Sequence, residues 1–326
     1  PHIVRRIVGE ALELPLSQIR VIKPYVGGGF GNKQDVILEP MVAFLTLKLG
    51  GVPVKLKLDR EEGMIGTRVR HPFRVQLELG VQKDGTVKLI NFDALSNTGA
   101  YASHGHSIAA AAAAKAHYMY PRAVYRCHAR TIYGNFPAAG AMRGYGSPQM
   151  TFAVDCAMED AARTLGMDPV EFRIKNAVKP GDMNQIGKRP IMTAGLVECI
   201  AKGSRLIGWE KKRADWPSSQ NGPVRRGLGL ACFSYLSGTY PVCVEIASAA
   251  LILNQDGSVL LRVGATEIGQ GSDTAFAQMA AETLGIPFTR VHLVSTQDTD
   301  ATPFDTGAYA SRQTYVGGQA VMRTAQ

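Results

Sequence analysis

The chain has 326 residues, 45% hydrophobic and 19% charged, a composition that can bury a large core in two domains and excludes a disordered protein. Its net charge of +9 is scattered, with no basic stripe of the kind that tracks nucleic acid, so a solvated basic face, or a pocket for anionic cofactor groups, fits the excess better. Five cysteines without paired spacing exclude an iron–sulfur cluster, a zinc ribbon or a disulfide framework and suit a reducing, cytoplasmic setting, and no apolar run is long enough to span a bilayer.

Apolar residues Ile3, Ile7, Val8 and Leu12 predict a helix over 2–12, closed by Pro15. A strand from Ile19 to Tyr25 then delivers Val26-Gly27-Gly28-Gly29-Phe30-Gly31-Asn32-Lys33 ahead of a helical pattern over 35–49. Four glycines in five residues are costly to order. The return is steric: without Cβ atoms the backbone can take φ > 0 and press its N–H groups on an anion or an electron-rich atom. Gly29 is expected at such a φ, where a Cβ would enter ligand space. The run is no P-loop, because Asn32 separates Gly31 from Lys33 and Gln34 replaces Ser or Thr, and its glycine spacing breaks the dinucleotide fingerprint.

Further along, Val54, Leu56 and Leu58 predict a strand over 53–58, and strands over 73–81 and 87–92 form a hairpin around Lys83-Asp84-Gly85. A polar loop carries His104 and His106; with no third ligand near, hydrogen bonding suits them better than a metal. An alanine-rich helix and a strand over 124–133 follow. Next, in the loop 135–149, Arg143 and Tyr145 stand between glycines, ahead of a helix over 150–165. Asp168-Pro169 is a cap and first turn for another helix. The polar stretch 209–227 reads as a linker between a first domain, 1–208, and a second, 228–326. That second domain opens as a strand meander over 229–234, 242–253 and 259–263. Gly264-Ala265-Thr266-Glu267-Ile268-Gly269-Gln270-Gly271 then leads to a helix over 273–284, and a strand over 290–295 leads to a last small-residue loop, 307–314.

Four times a strand delivers a loop of small residues bearing one or two polar side chains. That wraps a large polar ligand in backbone N–H groups, with Arg143, Gln270, Arg312 and Gln313 adding directed hydrogen bonds. Neither a metal-ligand cluster nor a nucleophile–base pair emerges, so the hard chemistry is expected of a cofactor.

Five motifs in order, Gly27 to Lys33, Asn97-Thr98-Gly99-Ala100-Tyr101, Ala141-Met142-Arg143-Gly144-Tyr145-Gly146, Gly264 to Gly271 and Ala310-Ser311-Arg312-Gln313, resemble the molybdenum-cofactor-binding subunit of the xanthine dehydrogenase (molybdenum hydroxylase) family, and within it most resemble bacterial xanthine dehydrogenases. The resemblance implies an α+β molybdopterin-binding fold of mixed sheets with helices in two subdomains. It implies a molybdenum–molybdopterin cofactor, with or without a cytosine dinucleotide tail, surrounded by Gly28, Gly29, Phe30, Gly31, Arg143, Gly269, Gln270, Gly271, Ala310, Ser311, Arg312 and Gln313. The metal is then held by the pterin dithiolene and by no side chain. Gln270 and Arg143 are implied as catalytic, Tyr145 as the aromatic that meets the substrate ring, and Thr239 with Tyr240 as another pocket wall. The implied partners are a 2Fe-2S subunit, a FAD subunit and the remainder of the molybdenum subunit. The implied reaction, a step of purine metabolism, oxidises a purine or related N-heterocycle with oxygen from water; an aldehyde- or nicotinate-type hydroxylase and an inactive cofactor-carrying subunit are the alternatives.

Departures from the family pattern bear on the substrate. The arginine that grips substrate in animal xanthine oxidases has no counterpart, its place lying in the alanine run 109–114, and Gln34 replaces an acid. The cysteine of the copper-containing carbon monoxide dehydrogenase branch is missing from the Arg143 to Gly146 loop. The family's general base sits in Gly-Glu-Pro, whereas the Glu39-Pro40 pair here follows Leu38, and Glu267 belongs to the frame of a loop. The base is therefore expected from further polypeptide.

Overall fold

The computed structural model describes residues 1–216, 222–239, 243–294 and 297–326, apart from the side chain of Ala116. In chain order the elements are α1 (His2–Leu12), α2 (Glu39–Lys48), α3 (Arg60–Gly66), β1 (Phe73–Val81), β2 (Val87–Asn97), α4 (Gly105–Met119), β3 (Val124–Ile132), α5 (Ser147–Thr164), α6 (Pro169–Asn176), β4 (Met183–Asn184), β5 (Arg189–Pro190), α7 (Leu196–Ile207), α8 (Trp209–Asp215), β6 (Ala249–Leu253), β7 (Val259–Val263), α9 (Ser272–Leu284), β8 (Val291–Leu293) and α10 (Gly318–Ala325). The fold is α+β with mixed sheets, and no helix among the described residues is long and apolar enough to cross a membrane.

Two compact units divide the chain, each drawn from distant stretches: the first comprises 1–68, 141–143 and 236–326, the second 69–140 and 144–235. They are interleaved in sequence and do not follow one another across a linker at 209–227. That stretch opens with α8, whose Trp209 is buried in the core of the second unit and donates its indole N–H to Asp168 at 3.0 Å. An indole with its polar edge satisfied anchors a segment that its charges made look solvated.

In the second unit β1 and β2 form an antiparallel hairpin, from Phe73 opposite Ser96 to Val81 opposite Val87. Strand β2 pairs in parallel with β3, Leu89 opposite Val124. A parallel pair needs a crossover, and α4 supplies it. Helix α5 packs on β1 and α4, closing a core around Ile90, Phe92, Met150, Val154 and Phe172. Asp168 caps α6 as predicted, accepting from the Val170 and Glu171 N–H groups with Pro169 in the first turn.

The first unit repeats this order. Strands β6 and β7 are antiparallel, β7 pairs in parallel with β8 across α9, and α10 packs on β6 and α9 around Leu261, Val263, Phe276 and Val321. No sequence period betrays the repetition.

Several expected strands do not form. Residues 53–58 pair with nothing among the described residues, and the strand ahead of the glycine run shrinks to a single bridge, Ile22 to Asp298. The stretch 229–234 is held instead by α5, the Cys232 N–H donating to both oxygens of the Asp155 carboxylate. Helix α2 starts at Glu39, later than its pattern suggested, because Pro40 has no N–H and fits only a first turn. Residues 242 and 295, the outer ends of two predicted strands, lie outside the described residues.

Candidate functional site

Three loops far apart in sequence are knit together by backbone hydrogen bonds in the first unit. The Gly28 N–H donates to the Ile268 carbonyl at 2.8 Å, and the Arg143 N–H to the Phe30 carbonyl at 2.8 Å. Gly31, at φ +99°, runs so close to the 141–143 segment that a Cβ would stand 2.7 Å from the Ala141 oxygen. The expectation for Gly29 needs correction: its φ is not positive, and an added Cβ would meet only the tip of Ile268 at 3.2 Å. Gly27 and Gly271 do hold positive φ, with open space where a Cβ would point. The loops thus leave bare backbone open at these two positions.

Four non-glycine residues of the predicted loops also adopt left-handed backbone: Phe30 (φ +52°), Tyr145 (+45°), Ala310 (+46°) and Ser311 (+51°). Such conformations cost on the order of 1–3 kcal/mol each and concentrate where function requires them. Nothing in the residue types signals this.

Side chains divide into those turned inward and those at the surface. Gln270 folds back on its own loop, accepting from the Ile268 N–H at 2.7 Å and donating to the Thr266 carbonyl and the Ser272 hydroxyl at 3.0 Å each. Glu267 frames that loop, accepting from the N–H groups of Gly269, Gly271 and Asp273 and from the Ser272 hydroxyl. Burial pushes its carboxyl up, but these donors outweigh it and hold it below the ordinary glutamate range.

Arg312 corrects another expectation, that its guanidinium reaches a ligand. It is 0% exposed; Nε donates to Glu245, Nη1 to Asp305 at 2.8 Å and to the Gly307 carbonyl at 2.9 Å, and Nη2 to the Ile246 carbonyl. One buried carboxylate, Asp305, and one half-buried, Glu245, claim the cation, so it builds the 305–313 loop from within. Burial drives Asp305 up despite Arg312, whereas at Glu245 hydrogen bonds from Thr239 and Arg312 overcome burial and lower it. The Thr239 hydroxyl, expected in a pocket wall, donates to Glu245 at 2.7 Å and belongs to this network. Tyr240 lies outside the described residues.

Gln313 opens a π-helical turn, Gln313–Gly317, and both polar atoms of its amide are buried without a partner. An unmet buried amide is costly, so this one is suited to a polar ligand. Arg143, exposed, places its guanidinium over the Phe30 ring at 6.0 Å. Bare glycine backbone, an unmet amide and an exposed guanidinium fit a large polar, anionic group such as molybdopterin. Among the described residues no set of three or more His, Cys, Asp or Glu could hold a metal ion.

In the second unit Tyr145 is held from α4. Its hydroxyl lies 2.8 Å from His104 Nδ1, and the Lys115 ammonium donates to the carbonyl oxygens of Gly144 at 3.3 Å and Tyr145 at 3.0 Å. Residue types showed Lys115 only as a charged flank of the alanine run; a lysine inside an alanine-rich helix was the available signal of more.

Two molybdopterin cofactor-binding domain models match the chain, one over residues 1–177 and the other over 202–326. Over 325 residues it is 58% identical to the xanthine dehydrogenase molybdenum-binding subunit of Escherichia coli O157:H7, covering 100% of this chain and 43% of that subunit. It is 36% identical over 219 residues to the nicotinate dehydrogenase large molybdopterin subunit of Eubacterium barkeri, covering 65% of this chain and 51% of that one. Quinoline 2-oxidoreductase from Pseudomonas putida 86 shares the fold with a TM-score of 0.88 at 26% identity, over 100% of this chain and 43% of that chain. The chain thus spans less than half the length of the Escherichia coli subunit it matches.

Proposed function

The chain belongs to the molybdopterin cofactor-binding domain family, and from that membership we propose that it forms the cofactor-binding part of a molybdenum hydroxylase of the xanthine dehydrogenase type. Its substrate is a purine or a related N-heterocycle with an electron-poor C–H bond, and water provides the oxygen. When bound, the molybdenum–pterin group supplies the two-electron oxidation. Partner subunits carrying 2Fe-2S and FAD would accept the electrons, and the rest of the molybdenum subunit would complete the enzyme. All five cysteines are unpaired thiols, which suits the cytoplasm.

The observation that carries this reading is the backbone knit of Gly28 to Ile268 and Phe30 to Arg143, with open glycine positions on the same loops. Gly28, Gly29, Phe30, Gly31, Gly269, Gly271, Ala310 and Ser311 hold the pterin through backbone groups, and Gln313 adds its amide. Arg143 favours negative charge at the cofactor. Gln270 contributes only after its internal hydrogen bonds open, and Arg312 acts through the loop it stabilises. Tyr145 meets the substrate ring. A general base must be free to take a proton. Glu267 is fully engaged and Glu39 accepts from the Ile37 and Leu38 N–H groups, so the base comes from polypeptide outside this chain.

A second reading, an aldehyde- or nicotinate-type hydroxylase, is favoured by α4. The place where animal xanthine oxidases carry a substrate-gripping arginine falls in its alanine run, 109–114, which brings no guanidinium to a purine.

The test is to purify the whole protein that contains this chain and measure molybdenum, acid-released cytidine monophosphate, and turnover of xanthine, nicotinate and acetaldehyde with an artificial electron acceptor. Bound metal with heterocycle turnover supports the hydroxylase, and preference among the three separates the two substrate readings. Metal without turnover identifies an inactive carrier, no metal sinks the proposal, and released cytidine monophosphate reports the dinucleotide tail.

A further inference from the structure

Lys115 is 2% exposed, and among the described residues no carboxylate pairs with it. A buried lysine without an acid is rare and costly, since desolvation opposes the charge. Here burial lowers the ammonium to about 8. Leucine or methionine would fill the same volume without that cost, so the position asks for what only the ammonium does.

It makes four contacts, all on aromatic turns of the second unit. Nζ donates to the carbonyl oxygens of Gly144 and Tyr145, lies 4.6 Å from the centre of the Tyr235 ring and 5.9 Å from that of Tyr145. His104, the N-cap residue just ahead of α4, takes the far end of Tyr145: hydroxyl to Nδ1 at 2.8 Å, the rings edge-on at 5.6 Å and 85°. Between them the α4 backbone approaches the turn so closely that a Cβ on Gly146 would stand 2.7 Å from the Ile108 oxygen and 3.0 Å from Ala112 Cβ. Gly144, Tyr145 and Gly146 all have positive φ. A turn in that conformation does not hold itself; α4 grips it at the backbone and the ring face, and the N-cap residue His104 meets the hydroxyl.

We propose that Lys115 is a positioning residue that fixes the Tyr145 ring in the orientation needed to meet a flat heteroaromatic substrate. The proposal rests on the reading of Tyr145 as a substrate-contacting ring. Substrates with an aromatic ring then depend on Lys115 through Tyr145, while a small aliphatic aldehyde, which has no ring to align, depends on it much less.

The experiment uses the complete, cofactor-loaded protein and compares Lys115→Met, Tyr145→Ala and the double variant, with molybdenum content and melting temperature recorded on the same preparations. Xanthine and nicotinate are the heteroaromatic probes and acetaldehyde the aliphatic one. Lys115→Met is expected to raise KM for the heterocycle that turns over by about tenfold or more, with a much smaller change in its kcat and in the aldehyde KM. The double variant is expected to be no worse than Tyr145→Ala, because the lysine works through the tyrosine. Equal losses on ring and aldehyde substrates in Lys115→Met, or a lowered melting temperature alone, overturn the proposal while leaving Tyr145 in its role. A Tyr145→Ala variant that does not distinguish the substrates instead removes the reading of Tyr145, and the proposal with it. Lys115→Gln, uncharged and one bond too short to reach both carbonyls, serves if the methionine variant does not accumulate; an unchanged heterocycle KM in it likewise overturns the proposal.

Discussion

Arg143 touches Phe30 twice: its N–H donates to the Phe30 carbonyl at 2.8 Å, and its guanidinium lies over the Phe30 ring at 6.0 Å. The two residues are separated by more than a hundred positions, yet one glycine, Gly31, allows them to meet. The left-handed backbone at Phe30 and the missing Cβ at Gly31 let these two loops approach each other.

Substitutions at Gly31 and Gly29 therefore have different consequences. Gly31→Ala sets a Cβ 2.7 Å from a backbone oxygen at φ +99°, so the first unit itself is expected to lose on the order of 1–3 kcal/mol, read as a fall in melting temperature. Gly29→Val meets only a movable side-chain tip, so the fold is expected to survive; if Gly29 belongs to the cradle, its branched side chain is expected to displace the cofactor and lower molybdenum content. Full metal content in well-folded Gly29→Val protein would remove Gly29 from the cradle.

Arg312 and Gln313 are neighbours with opposite roles. Arg312→Met strands the Glu245 and Asp305 carboxylates in the interior, an error worth about 3–5 kcal/mol, and is expected to melt the loop with or without cofactor. Gln313→Ala removes two unpartnered polar atoms, so the apo protein should be no less stable while cofactor retention drops. Chelation-released molybdenum and apo-protein melting curves measure both; a Gln313→Ala variant that holds its metal as firmly as the parent would leave that amide with no ligand to meet.

Glu267 tests whether the general base lies outside the chain. Replacing it by glutamine turns an amide donor toward some of the N–H groups it now accepts from, so metal content should fall. Turnover per bound molybdenum should change only modestly, because the carboxylate takes no proton from substrate or water. A collapse of kcat per metal, with its acidic pH limb lost, would make Glu267 the base after all.

Acid stability should carry the signature of His71. This side chain is 2% exposed and neither ring nitrogen has a well-formed hydrogen bond. Burial, then the charge of His104, lowers it to about 4, against a weaker backbone contact at Gly140. The unfolded chain binds the proton first, near the ordinary value of 6.5. Its contribution to stability is therefore intact above 6.5 and is lost as pH falls toward 4, with a slope of up to about 1.4 kcal/mol per pH unit. Melting temperatures between pH 7 and pH 4 should drop less steeply in His71→Phe; parallel curves would show that His71 is not the group responsible.

What the sequence determined by itself is the local grammar. Helix α1, the β1–β2 hairpin, the Asp168 cap and the order of the five small-residue loops were legible because periodicity, turn residues and capping are settled within a few positions. The loops also sufficed to point to a cofactor, since glycine runs that leave room for a ligand have few other uses. Tertiary structure alone decided which residues share a neighbourhood. It interleaved the two units, drew 229–234 to Asp155, buried Trp209, withdrew Arg312 and Thr239 into a network around Glu245, and set Lys115 beneath Tyr145. A guanidinium or an ammonium reads the same in a sequence whether it faces solvent, ligand or a buried carbonyl. Its role is fixed by which partners the fold brings within about 3 Å, and those partners lie tens or hundreds of residues away.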